Sequence, residues 1–198
     1  MKKTFLLIVA CVFAFATVQA QSSEVEATTQ QTKAEQFKQK NSFVKEETIY
    51  RKFSGVDVCT QLFTDLKSGE QLIAFLFYGA AFNGPKPQLG YLDFEEVDDL
   101  LLALETILNE SNNSSKQDNY SISYTTPSGI DVYFTTEGFV GLSGHAIRFS
   151  KKWYVIDDYG ILTSKYSQDS SIIPVKLLSN VIATIKEAKA IANQALAK

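Results

Sequence analysis

The sequence predicts an α+β fold, an antiparallel sheet of about six to eight strands, open or strongly curved toward a barrel, with two amphipathic helices packed on it. Two segments, 94–108 and 174–195, space their apolar residues at intervals of three and four. Between and before them run short stretches of period-two alternation. The links between those stretches are hairpin length, and strands and helices do not alternate as they do in a parallel sheet.

Element by element, 48–53 and 56–66 read as strands. The second sets Val56, Val58, Thr60 and Leu62 on one side against Asp57, Cys59, Gln61 and Phe63 on the other. Residues 71–82 form a strand whose apolar residues do not alternate, which requires cover on both faces. Pro85 and Pro87 make 83–90 a loop. The helix over 94–108 carries the strongest local signal. Asp93 can cap it while Glu96 reaches back, Leu92 can staple Val97, and Val97, Leu100, Leu101, Leu104, Ile107 and Leu108 form one stripe. A polar loop is expected over 109–119, where Asn109, Asn112, Asn113 and Asn119 each open an N-x-S sequon.

Two hairpins follow, 121–126 with 130–135 about Pro127-Ser128-Gly129, and 145–149 with 153–157 about Ser150-Lys151-Lys152. A short strand near 161–165 precedes a closing helix begun by Pro174. Its stripe is Leu178, Val181, Ile182, Ile185, Ala188, Ala192 and Ala195. No internal repeat stands out.

The chain has three expected regions: a signal peptide at 1–20, a flexible polar leader at 21–42 and a single α+β domain at 43–198. Lys2 and Lys3 precede an apolar run from Phe5 to Val18, and Ala20 supplies the small residue for cleavage. The product should therefore be exported, periplasmic or extracellular. A rival lipoprotein cleavage at Ile8-Val9-Ala10-Cys11 is weakened by the apolar residues that continue after Cys11. The leader is Gln-, Thr-, Lys-, Glu- and Ser-rich, and a short exposed helix over 32–40 is its alternative.

Cleavage removes Lys2 and Lys3 and no acids, leaving 17 cationic and 22 acidic residues, a charge of −5. That balance disfavours a nucleic-acid partner. No later apolar run is long enough to span a membrane. A chain of this size buries roughly 70% of its unfolded surface, and with Cys59 as the only cysteine after Ala20 it must cohere by packing without an internal disulfide.

Cys59 and His145 are the only cysteine and histidine of the processed chain, so a thiol–imidazole pair exists by arithmetic alone. Their surroundings match no nucleophile motif. In Gly141-Leu142-Ser143-Gly144 the second glycine falls one residue early for G-x-S-x-G. One histidine and one cysteine cannot build a zinc site without borrowing several carboxylates, and Asp157-Asp158-Tyr159-Gly160 lacks calcium-loop spacing. No cofactor or metal is implied. Surplus rings on strands mark binding surfaces, which singles out Tyr124, Tyr133 and Tyr154, with Tyr120 and Tyr159 beside them, and Arg148 as a nearby cation. The leading expectation is a non-catalytic binding or envelope-associated domain, with a small ligand or an envelope protein as partner. The alternatives are a hydrolase using Cys59 with His145 or a carboxylate pair, and a carrier of a small apolar ligand held between sheet and helices. Intact mass and N-terminal sequencing of the exported product should give a chain beginning at Gln21, and a product that keeps Lys2 or starts at a lipidated Cys11 would contradict the processing.

Overall fold

The computed structural model describes residues 31–79, 86–114, 119–139, 142–156 and 162–197. The expected signal peptide, Cys11 and Asp157 to Gly160 lie outside them. Helix α1 (Lys33–Lys40) leads into β1 (Val44–Phe53), β2 (Asp57–Asp65), β3 (Gln71–Tyr78) and β4 (Gln88–Asp93). A single 3-10 turn, Phe94–Glu96, then opens α2 (Val97–Asn113). Next come β5 (Ser121–Thr125), β6 (Ile130–Thr135), the two-residue strands β7 (Gly138–Phe139) and β8 (Leu142–Ser143), β9 (Ala146–Ile156) and β10 (Leu162–Pro174). A second 3-10 turn, Val175–Leu177, opens α3 (Leu178–Leu196).

The fold is α+β and antiparallel, as expected, but its main strands form two sheets. One is ordered β1-β2-β3-β4 and the other β10-β9-β6-β5, with β7 and β8 paired apart. Each is a four-stranded meander followed by a 3-10 turn and a helix, so the chain builds one architecture twice. Val97, Leu100, Leu101, Leu104 and Ile107 of α2 recur at one constant offset as Leu178, Val181, Ile182, Ile185 and Ala188 of α3, all buried. Only the apolar spacing is shared between the two helices, which is why no repeat is visible in the sequence.

The helices cross over between the halves. The α3 helix packs against β1, β2 and α2, while α2 reaches β5 of the second sheet. Lys52 of β1 anchors Glu187 of α3 at 2.7 Å. One core results, joining Val58, Phe75 and Phe77 of the first sheet, Val132, Phe134 and Phe149 of the second, and both helical stripes. Leu101 and Ile182 are 7% and 6% exposed, so each predicted stripe is the buried one. Among the described residues no helix is long and apolar enough to cross a membrane.

The non-alternating strand is covered on both faces, as its sequence requires. Ile73, Phe75 and Phe77 face the shared core. Ala74 and Leu76 join Cys59, Phe63 and Tyr91 in a second cluster, which Ala34 and Phe37 of α1 complete. Of the two readings of the leader, the helix is the one seen over its described part, and it is docked where an exposed one was expected. Thr32 accepts from the Glu35 backbone N–H at 3.2 Å while the Glu35 carboxylate accepts from Thr32 N–H at 2.9 Å, a complete capping box.

The capping box expected at Asp93 is dispersed. Asp93 does not cap its own helix. Its carboxylate instead accepts from the Lys33 backbone N–H at 2.9 Å, one of the unpaired donors that opens α1. Glu96 accepts from the backbone N–H of Ser128 at 3.1 Å and from its hydroxyl, holding the β5–β6 turn. Local pattern nominates these acids as a cap, and tertiary contact redirects both.

Two further expectations are corrected. Helix α2 continues through 109–113, where a loop was expected, because buried Ser111 bonds the Leu108 carbonyl at 2.7 Å and the Tyr120 hydroxyl bonds that of Glu110 at 3.1 Å. Ser150-Lys151-Lys152 is no turn: β9 runs straight through it, with Ser150 buried between Asp131 and Ser170 and Lys151 reaching Glu35 at 3.5 Å. The Lys152 N–H bonds Gly129 O at 2.8 Å, so close a passage that a Cβ on Gly129 would lie 2.6 Å from the Lys152 oxygen.

Phe37→Ala should cost about 3 kcal/mol in urea unfolding, and Asp93→Ala about 1 kcal/mol through loss of the α1 cap. Asp93→Asn keeps an acceptor and removes a charge that burial and the nearby Glu96 oppose, so its cost should be the smallest of the three. An unchanged midpoint for Phe37→Ala would contradict the docked helix.

Candidate binding surface

The two reactive residues lie against different apolar clusters. Cys59 lies in β2 on the α1 side of the first sheet, buried with Phe63, Leu76 and Tyr91. His145 precedes β9 in the second sheet, its ring edge-on to Phe134 at 5.7 Å. Burial, then the nearby Asp57 carboxylate, pushes the Cys59 thiol up to about 11, which suppresses the thiolate a nucleophile needs. Asp57 itself is held below the usual range. Burial alone would raise it, but Arg51 at 2.7 Å and Lys86 at 2.8 Å outweigh that cost. Among the described residues no cluster of three or more His, Cys, Asp or Glu could hold a metal ion.

Two of the ring and cation candidates meet on the outer face of the second sheet, the side turned from the shared core. Tyr133 and Arg148 are register partners, and the Arg148 guanidinium lies 5.1 Å from the Tyr133 ring and 5.9 Å from that of Phe139. In the neighbouring cross-strand row Asp131 accepts from Thr125 Oγ1 at 2.7 Å and stands 3.9 Å from Arg148. Tyr154 belongs to β9, opposite Ser164 of β10.

Tyr124 points to the opposite side and packs on the shared core. With Ile122 and Ser123 it lines a groove of about 400 Å³ between β5 and α2, closed by Asp99, Leu102, Ala103, Thr106 and Ile107. Burial, then the negative charges of Asp99 and Glu96, raises the Tyr124 phenol. Leu102 is 65% exposed. Sequence reasoning named Tyr124 and missed the helix side of the groove. The available signal is Leu102 itself, an apolar residue outside the α2 stripe.

Among the described residues, the strand flanking the groove is an open sheet edge. Thr136 N–H bonds Tyr120 O at 3.2 Å and Thr126 N–H bonds Ile130 O at 2.9 Å, which puts the even-numbered residues of β5 in the hydrogen-bonded pairs with β6. Ser121, Ser123 and Thr125 therefore aim their N–H and C=O groups outward. The other edges are guarded in the ways edges commonly are. Strand β1 carries Lys45, Glu46, Glu47, Arg51 and Lys52 and a bulge, β10 has a bulge and ends in Pro174, and β4 lies against the second sheet. Strand β5, Ser-Ile-Ser-Tyr-Thr, has neither charge nor bulge nor proline.

Comparison with protein-family models, curated proteins and solved structures finds no match for the chain.

Cys59 should resist a maleimide at pH 8 in the folded protein and react at once in denaturant, and fast native labelling would contradict its burial. Because the folded thiol titrates higher than an unfolded one, its stabilising effect is complete below pH 9.0 and fades as pH rises toward about 11.

Proposed function

We propose that the protein is an exported, non-catalytic binding module, and that the groove between α2 and β5 is where it takes its ligand. The carrying observation is the exposed Leu102 beside an uncharged strand whose outer edge has no partner among the described residues. An apolar segment in extended conformation fits both features, with its main chain meeting β5 and alternate side chains entering the groove. The separation of Cys59 from His145, and the raised thiol, support this over a thiol hydrolase. The groove volume also suits a small apolar molecule, and in that reading the same lining residues serve a carrier.

A neutral solvatochromic dye, Nile red, tests the site. Leu102→Asp and Ala103→Glu place a carboxylate in the groove and should weaken dye binding about tenfold or more, with far-ultraviolet circular dichroism unchanged. Undiminished dye binding in both variants would reject the groove as the site.

A further inference from the structure

We infer that the occupant of this groove is a second copy of the same chain, joined edge to edge through β5. The inference rests on the groove being the binding site and names what fills it. Strand β5 is its own complement. Reading Ser121-Ile122-Ser123-Tyr124-Thr125 from either end gives hydroxyl, apolar, hydroxyl, apolar, hydroxyl.

A two-fold axis at Ser123 sets Ser123 opposite the second copy's Ser123, and Ser121 opposite its Thr125. These are the residues whose main-chain groups point outward, so each exchanges both hydrogen bonds with its opposite number. Ile122 then faces the second copy's Tyr124 in the closer, non-hydrogen-bonded kind of pair, on the groove side. A β-branched residue against an aromatic one is among the favourable cross-strand pairs. No charge lies on the strand to oppose this self-pairing, and exposed Leu102 stands beside the new strand. The arrangement is closed, because one pairing consumes both open edges and leaves no template for a third copy. The second sheets of the two copies become one eight-stranded sheet in the order β10-β9-β6-β5 and back again.

Sedimentation velocity of the purified protein over roughly 1 to 200 μM, which brackets weak to moderate association, should show a dimer. Ser123 is exposed in the single molecule, so its substitution leaves the fold intact, which a thermal melt verifies. Ser123→Lys places two ammonium groups face to face on the axis and should weaken the dimer about fivefold. Ser123→Glu should do the same, and mixing the two variants should restore a one-to-one heterodimer. Persistence of the dimer at full strength in both single variants would overturn the inference, because the copies would then meet elsewhere. So would a wild-type monomer that still binds Nile red, an outcome that leaves the groove standing with another chain as its occupant. A monomer that binds no dye removes both the groove and its occupant.

Discussion

Each of the two four-stranded sheets has an apolar inner face too large to leave in water, and the same two helices close both at once. Helix α3 belongs to the second half of the chain and lies on the first sheet, while α2 belongs to the first half and reaches the second. Because apolar burial is the dominant favourable term in folding, this exchange binds the halves into one core. Cross-links contribute nothing here, since Cys59 is free and buried.

The duplication is not symmetrical, and the asymmetry shapes the surface. The outer face of the first sheet carries Cys59, Phe63, Ala74, Leu76 and Tyr91, and α1 covers it with Ala34 and Phe37. The outer face of the second sheet offers Tyr133, Arg148 and Asp131 in place of an apolar patch, organised by ring–cation and ion-pair contacts. From the inner face of that sheet, where it is paired with Ile130, Lys151 reaches from β9 to Glu35 of α1 at 3.5 Å.

The candidate site is a by-product of the same exchange. Reaching across to the second sheet brings α2 alongside β5, and the groove is the space between the helix side of Leu102 and Ala103 and the strand side of Ile122 and Tyr124. Its chemistry is that of an edge, with main-chain donors and acceptors beside apolar side chains. Such a surface recognises chain conformation and apolar bulk. Asp99 and the Tyr124 phenol are the titratable groups of that lining.

Much of this was written in local spacing. The stripes of α2 and α3, the turn at Pro127-Ser128-Gly129 and the two-sided burial of β3 depend on which residues recur every two or three to four positions, a property any window of the chain carries. Tertiary structure alone decided the rest. The split into two sheets, the crossing of the helices and the redirection of Asp93 and Glu96 to distant donors each depend on residues far apart in sequence. The turn expected at Ser150-Lys151-Lys152 failed for the same reason, since polar residues in mid-strand make sense only once Asp131 and Glu35 stand beside them. Tyr124, Tyr133 and Arg148 could be named as rings and a cation on strands. Which face each took, and which neighbour completed it, was settled by packing, because a strand's side chains alternate faces without recording which face will meet a helix.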